Sequence, residues 1–255
     1  MIYPTRFTKN ASENKSSGVL GTTLGTGAGA IAGGTTTAVL ATPIAGAMFY
    51  NEVKNKQPDM TSAEFSKLKD AFLRGKKNPP KFFALPGVFN IGSHYNPSTN
   101  TVASSPRSYI AAHELGHATG PVGADSSKAV RGIVNAGYRL SKLAPIARAL
   151  QGYTQAYNKE MGIEPGTGQN VIDALGTASM VGTGIQLTEE GQATLRALKK
   201  IREVQGGAGM RRALMRTLGP AYLTYLAGAA GSHAVAPWVA GLLGRRAARK
   251  EKKST

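Results

Sequence analysis

Two long stretches without a single charged side chain constrain this sequence more than any other feature. One runs from Ser16 to Tyr50 and the other from Thr217 to Gly244. Each exceeds the ~20 residues with which an α-helix crosses a bilayer, so each is long enough to span one. In the first run Gly21, Gly25, Gly29 and Gly33 recur at every fourth position, a spacing that lets membrane helices approach closely. Its richness in Gly and Thr makes insertion only modestly favourable, and a flexible or buried glycine-rich segment is the alternative. The long polar arm ahead of it is unlike a cleaved signal peptide. In the second run Tyr222, Tyr225 and Trp238 lie near the ends, as interfacial aromatic residues do, and the basic tail RRAARKEKK that follows belongs on the cytoplasmic side if the helix spans. Pro220, Pro237 and His233 favour a buried helical hairpin instead. A third apolar stretch, Pro165 to Thr188, is interrupted only by Asp173, which reads as a helix cap or as a group orienting a metal-bound histidine.

Charge and cysteine content narrow the chemistry. Lys and Arg number 31 against 14 Asp and Glu, a formal charge of +17, which favours contact with a polyanion. An anionic membrane surface and nucleic acid both qualify, but no nucleic-acid-binding fingerprint is present, so nucleic acid enters only through non-specific charge. There is no cysteine; disulfides and thiolate metal sites are excluded, and any transition metal must be held by His, Asp or Glu.

The region between the apolar runs reads as an ordinary folded domain. Residues 60–75 form an amphipathic pattern that predicts a helix with Ser62 as cap and Gly75 as stop. The run KFFALPGVFNIGSHYNPSTNTVASS has β-branched and aromatic residues around an Asn-Pro-Ser-Thr-Asn turn, which predicts a hairpin or strand pair. Ser105-Pro106 then resembles a helix start and Gly120-Pro121 its stop. Inside that helix lies His113-Glu114-Leu115-Gly116-His117. Residues four apart project from one face, so both imidazoles can reach one metal ion while Glu114 stays beside it as a general base. This is the H-E-x-x-H arrangement in which zinc activates water for attack on a peptide carbonyl. Two of the chain's four histidines occupy it, and the small Gly116 and Ala118 suit close packing beneath a metal site.

Catalytic zinc takes a third protein ligand. Three residues beyond Gly120, where a further histidine or aspartate would complete one common pattern, the chain has Gly123, with Asp125 displaced by two. A glutamate on a later helix is the other solution, and Glu160, Glu164, Glu189 and Glu190 are available.

Three separated pieces of the chain resemble the membrane-bound neutral zinc metallopeptidases of bacteria, the YugP-type family. HYNPSTNTVASS (94–105) is similar to the family's strand upstream of the site, with Asn96 where aspartate is usual. SYIAAHELGHATG (108–120) resembles its zinc helix, with Leu115 in place of valine. EGQATLRAL (190–198) resembles the segment carrying its third ligand, with Arg196 on the family's second arginine and Leu195 replacing the first. LTYLAGAA (223–230) is similar to its last hydrophobic helix. The resemblance covers about residues 85–230, interrupted between Gly120 and Thr188. It implies a metal set of His113, His117 and Glu190, a Zn2+ cofactor, Glu114 as catalytic base and acid, and a polypeptide substrate; the spacing after Gly120 keeps Asp125 as the alternative third ligand. His94 is expected to be a satisfied strand-end residue.

The expected fold is mainly α, a zincin-like metallopeptidase with a small β element before the H-E-x-x-H helix, flanked by apolar helices that associate with a membrane. The expected organisation is a polar arm (1–15), a glycine-rich apolar segment (16–50), a peptidase domain (51–216), an apolar helical segment (217–244) and a basic tail (245–255). The rival expectation is a non-enzymatic, basic, membrane-active structural protein, such as a virion component accompanying nucleic acid, on a decayed peptidase fold.

Overall fold

The computed structural model describes residues 58–85 and 93–254. The polar arm and the glycine-rich run 16–50 lie outside the described residues. The elements in chain order are α1 (Ser62–Leu73), β1 (Lys81–Ala84), β2 (His94–Asn96), β3 (Thr101–Ser104), α2 (Tyr109–Ala118), α3 (Lys128–Met161), α4 (Thr167–Ala213), α5 (Gly219–Ala230) and α6 (Ala236–Lys252). The protein is mainly helical with one small sheet, as expected.

The chain forms two compact units. One holds the described residues of 58–141 together with 181–227. In it α1 begins one residue earlier than predicted: Thr61 is the cap, its hydroxyl accepting from the Glu64 N–H while the Glu64 carboxylate accepts from the Thr61 N–H. This reciprocal pair satisfies two of the helix's open amide donors. Gly75, at φ 74°, turns the chain away, a conformation that glycine adopts without steric penalty. The sheet has strand order β1-β3-β2, with β2 and β3 antiparallel about the expected turn and β1 parallel to β3. The predicted hairpin is therefore present and gains a third strand.

Helix α2 starts at Tyr109, capped by the Ser108 hydroxyl, rather than at Ser105-Pro106. The Asp59 carboxylate, accepting from the Tyr109 N–H at 2.9 Å, takes another of the open donors. Tyr109, Ala112 and Leu115 join Leu68, Val102, Leu198 and Ile201 in one buried core, which seats α2 between the sheet and α4.

The second unit holds 142–180 and 228–254. Here α6 approaches α3 closely through small residues, with Tyr153 packed among Ala149, Ala236 and Ala240. Ala236, Ala240, Gly241, Gly244 and Ala248 are buried. A Cβ on Gly152 would sit 2.3 Å from the Pro237 carbonyl oxygen, and one on Gly244 2.4 Å from that of Tyr153. Asp173 lies within α4, where the side-chain amides of Gln151, Gln155 and Gln169 all donate to its Oδ1 at 2.8–3.0 Å. It is thus the shared acceptor of three amides in the helix interior, and not a helix cap or a histidine's hydrogen-bond partner among the described residues.

The helical run from Thr167 to Lys252 is interrupted at Gly206, whose φ of 71° and ψ of −171° are non-helical. The two prolines expected to weaken the last apolar run are accommodated by π turns, Leu214–Leu218 and Gly231–Val235. The residue before each proline donates to a carbonyl five residues back, Gly219 to Leu214 and Ala236 to Gly231. The wider turn makes room where the proline ring lacks an N–H and crowds the preceding turn. Among the described residues this run is the one helix long and apolar enough to cross a membrane, by length and composition.

Candidate metal centre

The centre is built by two helices that meet at a glycine. Gly116 of α2 faces the backbone of Ala193 in α4, so closely that a Cβ there would lie 2.5 Å from the Ala193 carbonyl oxygen. That approach brings Glu190 onto the two imidazoles that helical periodicity had already placed on one face. His113 Nε2 lies 3.1 Å from Glu190 Oε2, His117 Nε2 lies 3.3 Å from the same oxygen, and the two Nε2 atoms are 3.1 Å apart. The three donor atoms thus form a nearly equilateral triangle. In a tetrahedron with metal–ligand bonds of ~2.0–2.1 Å the ligands stand about 3.3 Å apart, so the observed edges fit one metal ion shared by all three. The residues are buried, and together they form the group able to hold a metal ion among the described residues. A buried His-His-Glu set without thiolates suits a borderline divalent ion.

Each of the three side chains is held from behind. His117 Nδ1 is 3.2 Å from Glu189 Oε1, and His113 Nδ1 is 3.2 Å from Thr194 Oγ1. Such contacts fix the tautomer that presents Nε2 to a metal. Tyr138 of α3 donates to Glu190 Oε1 at 2.7 Å, which leaves Oε2 facing the histidines. Arg196 pairs with Glu189 at 3.8 Å and donates to the Gly116 carbonyl at 3.2 Å. It therefore ties α4 to α2 at the glycine contact, a role no feature of the sequence had shown.

Electrostatics follow from burial. Burial raises the pKa of Glu114, opposed by the neighbouring histidines and by the Tyr95 backbone N–H, which hydrogen-bonds its carboxylate. For His117, burial disfavours the charged ring, but its bonds to Glu189 and Glu190 outweigh that and carry the pKa up to about 10 in the metal-free protein. Burial and the adjacent Glu190 charge push Tyr138 up, so it remains a hydrogen-bond donor at neutral pH.

Of the other residues considered for the site, none joins the cluster. Asp125 is exposed, and its carboxylate accepts from the Asn78 and Lys77 backbone and from Asn78 Nδ2; it closes a loop. Glu160 pairs with Arg249 at 3.1 Å in the other compact unit, and Glu164 also lies there. His94 is the exposed first residue of β2. Glu189 had been a candidate ligand and stands instead behind one. Successive helical positions turn by about 100°, so neighbours cannot serve the same point. Thr194, one turn beyond Glu190, could have been found from that same periodicity. Tyr138, fifty-two positions from Glu190, left no sequence signal.

Comparisons of the chain with protein-family models, with curated proteins and with solved structures find no match.

Proposed function

We propose that the protein is a zinc-dependent endopeptidase of zincin-like architecture, with His113, His117 and Glu190 as ligands and Glu114 as general base. The observation that most supports this reading is the triangle of donor atoms, with edges of 3.1–3.3 Å, presented beside a buried carboxylate that ligates nothing. Zinc, when bound, would polarise the scissile carbonyl and acidify a water molecule. Glu114 then accepts the water proton as the oxygen attacks the carbonyl carbon, and returns it to the departing amine nitrogen as the C–N bond breaks. Its apolar surroundings hold its proton affinity above that of an ordinary carboxylate, in the direction that both transfers require. Glu189 and Thr194 keep the two imidazoles oriented while charge changes beside them.

The test is metal content per purified chain together with hydrolysis of an unfolded protein substrate. Wild type is expected to carry about one zinc and to cleave, Glu114→Gln to keep zinc and lose cleavage, and Glu190→Ala to lose both. A wild-type chain that stays folded and takes up no zinc sinks the reading. The rival, a basic structural protein, draws on the +17 charge and predicts salt-sensitive binding to nucleic acid that is indifferent to metal.

A further inference from the structure

Helix α6 carries a second surface, unrelated to the metal centre and independent of the peptidase reading. Its buried side has small residues at every fourth position, Ala236, Ala240, Gly244 and Ala248. The opposite side exposes Trp238 (64%) and Leu242 (43%). Steps of three and four continue that stripe to Arg245, Arg246 and Arg249, all exposed. One helix face thus changes from apolar to basic along its length. At ~1.5 Å per residue, Trp238 lies about 11 Å along the axis from Arg245 and Arg246, so a helix inclined to a bilayer surface can hold the ring below the level of the guanidinium groups.

Further apolar side chains in the same compact unit point into solvent: Ile146 (58%), Val171 (63%) and Leu175 (38%). The apolar window of the long helical run is 28% buried. Beyond Leu242 the basic residues far exceed the acidic ones. Glu160 bonds Arg249, whereas Arg246, Lys250 and Lys253 extend the positive surface outward. Contiguity separates the candidate partners. Nucleic acid would use the arginines and leave the tryptophan and leucine in water, whereas a bilayer surface takes both at once. The four-residue spacing of small side chains on the buried face is, independently, the packing that suits helices in lipid.

We propose that the outward face of α6 docks on anionic phospholipid, with Trp238 and Leu242 in the acyl boundary and Arg245 and Arg246 at the phosphate level. Trp238 is the chain's one tryptophan, so its fluorescence reports this face alone. The experiment mixes the full chain with vesicles of phosphatidylcholine, with or without phosphatidylglycerol, and follows Trp238 emission and co-flotation.

Flotation and a shift to shorter wavelength are expected with the anionic vesicles. Arg245→Gln with Arg246→Gln should weaken partitioning about 30-fold, some fivefold per arginine, while Lys67→Gln on exposed α1 leaves it unchanged. Trp238→Tyr should retain part of the flotation and lose the signal. Three outcomes overturn the proposal. One is partitioning insensitive to anionic lipid and to the two arginines. Another is binding of these arginines to duplex DNA with no vesicle partitioning. The last is an emission shift that tracks protein concentration without vesicles, which would make the face a contact between copies of the chain.

Discussion

Replacing Gly116 by alanine should separate metal binding from stability. The added Cβ would lie 2.5 Å from the Ala193 carbonyl oxygen, where ordinary contact begins at 3.4 Å, so α2 and α4 must part by roughly 0.9 Å. The ligand triangle cannot absorb that movement, because a metal site tolerates about ±0.2 Å in its bond lengths. Glu190, carried on α4, is the ligand that leaves. Overpacking of this kind costs ~1–3 kcal/mol, but alanine in place of a mid-helix glycine returns ~1 kcal/mol of helix propensity. Global stability should therefore fall by no more than about 2 kcal/mol, while zinc affinity falls at least 100-fold. The paired assay is zinc competition against a chromophoric chelator and urea unfolding of the metal-free protein. A Gly116→Ala variant that binds zinc as tightly as wild type would refute the claim that this contact sets the site.

Other expectations follow from neighbouring contacts. Glu189→Gln keeps the shape but removes the charge behind His117, and should lower zinc affinity by ~10–100-fold, read by the same competition. Asp125→Ala should leave zinc affinity unchanged, since its carboxylate serves the Lys77–Asn78 loop; a loss of zinc there would return Asp125 to the ligand set. In the metal-free protein His117 is raised from about 6.5 to about 10, so its protonation stabilises the fold fully below pH 6.5 and progressively less as pH rises to 10. Zinc must displace that proton, so affinity should climb about tenfold per pH unit across the same window. Chelator competition at several pH values checks this, and a flat profile contradicts it. Gly152→Leu, which would drive a side chain into the Pro237 backbone at a 2.3 Å approach, should destabilise the α3–α6 unit by several kcal/mol, seen as an earlier thermal transition.

How much of this was legible in the sequence depended on distance along the chain. His113, Glu114 and His117 were readable because one helical turn is a local fact, and the hairpin was readable from its turn residues. Glu190 is seventy-seven positions from His113, and periodicity alone could not choose it from Glu160, Glu164 and Glu189; only the family resemblance singled it out. The start of α2 was misplaced because Ser105-Pro106 has good capping chemistry, yet Ser108 and the distant Asp59 supply the bonds that begin the helix. Asp173 was misread for the same kind of reason, since its glutamine partners lie partly on α3. The prolines of the last apolar run looked like breaks, and the backbone widened to keep the helix continuous. None of these outcomes can be read from composition, because each depends on which turns of two helices come to face each other.

The confinement of the metal centre to α2 and a short stretch of α4 has a consequence for how such a chain can diversify. Ligands, their supporting groups and the glycine contact occupy 113–117 and 189–196, with Tyr138 the one contribution from α3. Two further elements touch that cassette, β2 through the Tyr95 backbone N–H on the Glu114 carboxylate and α5 through Tyr225 beside Glu190. A lineage could vary elsewhere while keeping these contacts, and a designer could graft the same two helical segments onto another helix pair that tolerates a backbone-to-backbone approach, provided the outlying bonds were rebuilt.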